Sequence, residues 1–289
     1  MKQLTPFIDA HVHGFLKPSD SKRFKDNIST LIDHGLEKIL ITALPHHDFN
    51  YELKISLAPQ HIHPALTGDN SDETALLTAW THEYGFQETV IPFVDVRFVT
   101  EHLRDILGAS LASGFKGIKG AFIPEPDRVL AIQGIPQALG ISGQRYLHIQ
   151  HKLFSYAQEL NLPILYHINL SQYFEWMCTV LEAFPRLRIS IPHLGYSLRR
   201  ITDILDRFEH TYTDPSYLIE LLKKNNPRYR SFIQNYHTRI LHGSDAIIVS
   251  SPPEEILSYA HYFSNLSIAE EMRNRILKEN ARTFLSVPA

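Results

Sequence analysis

Four segments of this chain share one pattern, an apolar run of strand-forming residues that ends in a metal-ligand residue type. They are Phe7-Ile8-Asp9-Ala10-His11-Val12-His13, Ile164-Leu165-Tyr166-His167, Ile189-Ser190-Ile191-Pro192-His193 and Ile240-Leu241-His242-Gly243-Ser244-Asp245. Strand ends so far apart in sequence converge if the strands form one closed parallel barrel, in which all of them open onto the same face. The expected product is a divalent-metal site.

The segments between these runs fit such a barrel. Phe24, Ile28, Leu31 and Ile32 recur at helical spacing, and His34-Gly35 closes that helix before the strand Lys38–Leu44, which makes a βαβ unit. Further strands are expected at Val90–Val96, Phe115–Phe122, Pro163–Asn169, Leu187–Leu194, His210–Asp214 and Arg239–Asp245, giving eight. Helical stretches lie between most of them, at His102–Leu111, Leu147–Leu160, Gln172–Phe184, Leu198–Phe208 and Tyr217–Asn225. Short buried strands alternating with helices of about ten or more residues predict an α/β fold with a parallel sheet, here a (β/α)8 TIM barrel. With 289 residues and 44% apolar content, one large core is within reach, and such barrels run to roughly 250 residues, so residues 1–289 are expected to form a single domain. Two connections are long, at about 45–89, with its own helix near Glu73–Tyr84, and at about 123–145, which carries several Pro and Gly. Both follow strands, so both should rise from the C-terminal face as lids or substrate walls.

The formal charge of -3, with both signs interspersed, offers no basic stripe for nucleic acid or an anionic membrane. No apolar run reaches a membrane span, and a cleaved leader of about 20 residues would remove Asp9, His11 and His13. A cytoplasmic protein acting on a small molecule is the expectation, with self-association into a homo-oligomer left open. The one cysteine, Cys178, lies in a helical run and is read as core packing.

His11 and His13 are two apart on a strand and therefore share a face, with Asp9 one step deeper on it. Two neutral imidazoles so placed make half of a zinc-type site. His61-Ile62-His63 has the same spacing but lies between Pro59 and Pro64 in the long loop, and is read as a solvated pair. A lone strand histidine is more often a hydrogen-bonded core residue than a ligand. His167 and His193, however, end consecutive strands at the face where a barrel keeps its active site. Asp245 closes an otherwise apolar run, and a carboxylate is costly to bury there unless something pairs with it.

In these residues the chain resembles the amidohydrolase superfamily, and within it the amidohydrolase-related (amidohydrolase-2) branch that includes aminocarboxymuconate-semialdehyde decarboxylase and its hydrolase relatives. The resemblance runs from Asp9-Ala10-His11-Val12-His13 through Gly114-Phe115-Lys116-Gly117-Ile118-Lys119, Leu162–His167, His193-Leu194-Gly195 and Thr213-Asp214-Pro215-Ser216 to Gly243-Ser244-Asp245 and Glu279-Asn280-Ala281. It implies that His11, His13, His167 and Asp245 hold the metal, that His193 touches the metal's water or the reacting group, and that Asp245 also takes the water's proton. Lys119 would either be carbamylated as a bridge between two metals or bind a substrate carboxylate or pair with Asp95 or Asp214. One divalent ion, Zn²⁺, is expected, with a binuclear site as the alternative. A bound Zn²⁺ can lower the pKa of water from 15.7 to about 7, and a carboxylate beside it is a suitable base.

Ile168-Asn169 and Ala246-Ile247-Ile248 depart from the branch pattern, so the substrate does not carry over. His46 and His47, directly after the second strand, and Arg145 are candidate substrate contacts, with solvated loop residues as the equal alternative. The expected activity is hydrolysis of an amide, lactone or ester by a metal-activated water. Its alternatives are non-oxidative decarboxylation of a small unsaturated or aromatic acid and, against the retention of every ligand type, an inactive ligand-binding barrel.

Overall fold

The computed structural model describes residues 4–45, 51–66, 71–127, 131–224 and 227–286. Eight strands form one sheet: β1 (Phe7–His13), β2 (Leu36–Ala43), β3 (Val90–Asp95), β4 (Gly117–Phe122), β5 (Ile164–Ile168), β6 (Ile189–Ile191), β7 (Thr211–Thr213) and β8 (Ala246–Ile247). Their order is β7-β6-β5-β4-β3-β2-β1-β8, and every neighbouring pair is parallel. Helices alternate with the strands, as the spacing of apolar residues predicts. The first, Ser21–Asp33, buries Phe24, Ile28 and Leu31 against the sheet and leaves its opposite face to solvent.

The residues just before β8 close the barrel. Thr213 donates its N–H to Arg239 (3.0 Å) and accepts from Leu241 (2.8 Å), while Ala10 of β1 donates to His242 (2.9 Å). The strand expected at Arg239–Asp245 is therefore only partly regular, with a single parallel bridge between Thr213 and Ile240 and the ladder proper displaced to Ala246–Ile247. Backbone crowding is the reason. A Cβ on Gly243 would lie 2.9 Å from the Cβ of His11, and Asp245 turns the chain with φ +61°. The helix expected from Tyr217 starts later, at Ile219, and runs to Lys223, because Tyr217 has φ +64° and cannot form the first residue of a right-handed turn.

The barrel interior is a packed core. Leu40, Phe93, Leu165 and Leu241 meet inside it, and Ala281, Phe284 and Leu285 of the last helix plug the N-terminal end. Phe93 faces Gly117 across β3 and β4, where a Cβ would come within 2.2 Å of its ring. Only glycine leaves room for that ring.

The two long connections lie together. The first contains helices Tyr51–Ser56 and Glu73–Glu83 and the 3-10 turn Gln60–Ala65; Gln133 of the second donates its N–H to Ser56 (3.1 Å). Glu73, buried, accepts from the Leu44 N–H (3.1 Å) and faces Lys54 at 4.0 Å, which ties the first connection to the end of β2. Burial raises the Glu73 carboxyl to about 7. Among the described residues no helix is long and apolar enough to cross a membrane.

Candidate metal centre

β1 carries one more residue than β2 between Asp9 and Val12, a bulge at the point where the first imidazole must turn toward the barrel axis. His11 and His13 then aim at one atom: each Nε2 lies 3.1 Å from Asp245 Oδ1. These three side chains can hold a metal ion, with donor atoms all within 4.8 Å of one another. Two imidazole nitrogens and a carboxylate oxygen match the donor set of Zn²⁺ and of related ions that take nitrogen and oxygen ligands. The rings are oriented from behind. His13 Nδ1 bonds Thr42 Oγ1 (3.0 Å), and His11 Nδ1 lies 3.2 Å from Asp214 Oδ2. Such outer partners leave Nε2 free for an ion. Asp9 sits deeper, where its Oδ1 accepts the N–H groups of His11 (3.1 Å) and Ser244 (3.2 Å); burial raises its carboxyl to about 7.

His193 approaches from β6, its Nε2 3.9 Å from Asp245 Oδ2. It opens a rare run of left-handed backbone: φ is +58° at His193, +51° at Leu194, +58° at Gly195 and +59° at Tyr196. Left-handed conformation costs about 1–2 kcal/mol per non-glycine residue. Leu194 is buried and donates its N–H to Asp214 (3.0 Å), which holds the run in place. The run sets the rings of His193 and Tyr196 together, 5.3 Å apart, and both pack against His167 at 5.3 and 5.5 Å. His167 thus lines the same cavity but stands outside the close cluster of His11, His13 and Asp245.

The charge states follow from burial and from the neighbours. Burial alone would raise Asp245, but His11 and His193 outweigh it and hold this carboxyl well below its usual range. Burial lowers His13 to about 4, against the opposing pull of Asp245, and holds His167 well below the usual imidazole range, helped by His193. At His11 burial and Lys119 act downward, yet Asp245 and Asp214 together raise it. Lys119 is lowered to about 8 by burial and by the charge of Arg97. Its Nζ lies 3.3 Å from His11 Nε2, and it does not take up the pairing with Asp95 weighed from sequence. Arg97 holds Asp95 instead, with Nε 2.9 Å from each carboxylate oxygen and Nη2 2.5 Å from Oδ2. Arg97 lies two residues beyond β3, as His193 does beyond β6, so Asp95-Val96-Arg97 carried the same signal of charge at a strand end.

A narrow cavity of about 100 Å³ sits over these groups. Both long connections wall it, through Leu57, Pro59 and Ile62 on one side and Ile123 and Ile132 on the other, and Arg97, Lys119, Tyr196 and Tyr217 also line it. A larger groove of about 820 Å³ lies on the outer helices near His34 and His261, away from every strand end. The cavity at the strand ends is where this fold collects its reactive groups.

Two sequence expectations fall elsewhere, and a third concerns residues that are not described. Arg145 is exposed and paired to Glu101 (2.5 Å) in the first turn of helix Gly143–Glu159, outside the cavity lining, and its N–H donates to the side chain of Ser142, which caps that turn. His63 is half-buried and bonded to the Ala58 carbonyl (2.8 Å), so it is not a solvated loop residue. His46 and His47 lie outside the described residues.

The profile of the amidohydrolase family matches residues 67–287. No curated protein matches the sequence. Among solved structures, the chain is similar to an uncharacterised TIM-barrel protein from Bordetella bronchiseptica (17% identity, TM-score 0.64, covering 98% of this chain and 99% of that one). It is similar also to a probable 2-pyrone-4,6-dicarboxylic acid hydrolase from Acinetobacter baumannii with citric acid bound (12%, 0.61, 98% and 100%) and to 2,6-dihydroxybenzoate decarboxylase from Rhizobium (14%, 0.60, 98% and 99%). At these identities the likeness establishes the barrel fold.

Proposed function

The chain belongs to the amidohydrolase family, in its amidohydrolase-2 branch, and from that premise we propose that it is a metal-dependent hydrolase of a small amide, lactone or ester. The observation that carries this reading is the convergence of His11 Nε2 and His13 Nε2 on Asp245 Oδ1, 3.1 Å each. His11, His13 and Asp245 would hold one divalent ion, with His167 joining from the cavity wall. Zn²⁺ suits the donors. Such an ion lowers the pKa of water and polarises a carbonyl.

The chain's own groups supply the rest. Asp245 is ionised and its Oδ2 faces His193, so it can accept a proton from water on the substrate side. His193, lowered by burial, is neutral near pH 7 and stands beside that oxygen. The apolar walls from the two long connections exclude bulk water and strengthen the electrostatics inside. Lys119 is read as a substrate or charge-balancing contact and not as a bridge.

Decarboxylation of a small unsaturated or aromatic acid is favoured by one feature, the two cations Arg97 and Lys119 on the cavity lining, which suit a substrate carboxylate. One experiment separates the two. Protein reconstituted with Zn²⁺ is offered small lactones, amides, esters and unsaturated or aromatic acids, and both hydrolysis products and CO₂ are monitored. Hydrolysis that stops with a chelator and returns with Zn²⁺ is expected. CO₂ release in its place would select the decarboxylase, and turnover indifferent to chelation would sink both.

A further inference from the structure

Two imidazoles of the site, His11 and His193, turn their far nitrogens to one segment just beyond β7, Asp214-Pro215-Ser216. All four polar side chains involved are buried. Ser216 Oγ makes a very short contact with Asp214 Oδ1, and lies 3.0 Å from His193 Nδ1 and 3.2 Å from His11 Nδ1. A carboxylate only accepts, so the single hydroxyl hydrogen of Ser216 goes to Asp214. The hydroxyl oxygen then has only lone pairs to offer the two rings. Each Nδ1 must therefore carry a hydrogen.

One more atom that can only accept demands the same at His193, the backbone carbonyl of Ser216, 3.2 Å from His193 Nδ1. At His11, Asp214 Oδ2 stands 3.2 Å from Nδ1 as a charge partner. The segment is itself braced, since the Ser216 N–H donates to Asp214 Oδ1 (3.0 Å).

We propose that Asp214 and Ser216 are positioning residues that fix the tautomer of both rings, with Nδ1–H turned away from the cavity and the Nε2 lone pair turned toward Asp245. Neutral His193 then offers the site only a lone pair. It accepts a hydrogen from water or a substrate hydroxyl, or binds an ion, and it does not donate to a substrate carbonyl. This consequence for catalysis and the open Nε2 of His11 rest on the metal-site reading above; the Nδ1–H of each ring and the tautomer of neutral His193 do not.

The test is made on protein labelled with ¹⁵N-histidine, by two-bond ¹H–¹⁵N correlation near neutral pH, with His193→Asn to assign the His193 signals. A free imidazole in water carries its hydrogen mainly on Nε2, so a signal pattern for Nδ1–H at His193, with and without Zn²⁺, is the expected result. Nε2–H at His193 would overturn the proposal. Zn²⁺ affinity, measured by competition with a chromophoric chelator, should fall about 10- to 100-fold in Ser216→Ala. It should recover in Ser216→Thr, which keeps the hydroxyl. A Ser216→Ala protein that folds and binds Zn²⁺ as tightly as the wild type would count against the positioning role; if this variant does not fold, the wild-type tautomer decides alone. Failure of the wild type to bind Zn²⁺ at all would defeat the metal-site reading and leave the tautomer of the metal-free protein to decide this one.

Discussion

Gly195→Ala should destabilise the protein by about 2–5 kcal/mol. A Cβ built on Gly195 lies 2.4 Å from Leu170 Cδ1 and 2.8 Å from its Cγ, well inside van der Waals contact. Overpacking of this kind costs about 1–3 kcal/mol, because Leu170 is fully buried at the start of helix Leu170–Ala183 and has little room to yield. The left-handed backbone at φ +58° adds about 1–2 kcal/mol once a Cβ is present. Gly85→Ala isolates the second contribution, since Gly85 has φ +74° and no heavy atom within 4 Å of its would-be Cβ. Guanidinium denaturation followed by circular dichroism should therefore give a larger loss for Gly195→Ala than for Gly85→Ala, at similar slopes. Equal losses would refute the packing argument. A loss below about 0.5 kcal/mol at Gly195 would refute the left-handed run that sets His193.

Elemental analysis of protein purified without chelator should give close to one divalent ion per chain, unchanged in Lys119→Ala; a value near two that falls in the variant would instead mark Lys119 as a metal bridge. Asp245→Asn should retain much of the metal through its amide oxygen but lose about 10²- to 10⁴-fold in turnover, whereas His11→Asn should lose most of the metal; near-normal turnover in Asp245→Asn would remove the carboxylate from proton transfer. His242 is buried between Phe7 and Phe263, and burial lowers it from 6.5 to about 3. Its folded value lies below its unfolded one, so its contribution to stability is present above about pH 6.5 and is lost as pH falls toward 3. His242→Leu should flatten the acid side of a stability-versus-pH curve, and an unchanged curve would show that His242 does not govern it.

Much of the barrel was legible because its signals are local. Alternation with period two put His11 and His13 on one face, and apolar runs ending in His167, His193 and Asp245 marked strand ends that do open onto a common cavity. The limits of β8 were not legible, since they depend on how closely the Gly243 backbone passes His11. Arg145 looked like a contact for the cavity only while the direction of its helix was unknown. The serine that bridges both imidazoles is 205 residues from His11, and nothing in either neighbourhood refers to the other. Hydrophobic period and ligand type are properties of a segment, and they alone determined the class of fold and the kind of chemistry to expect. Which nitrogen faces which oxygen depends on distances between segments, and closure of the barrel decided that.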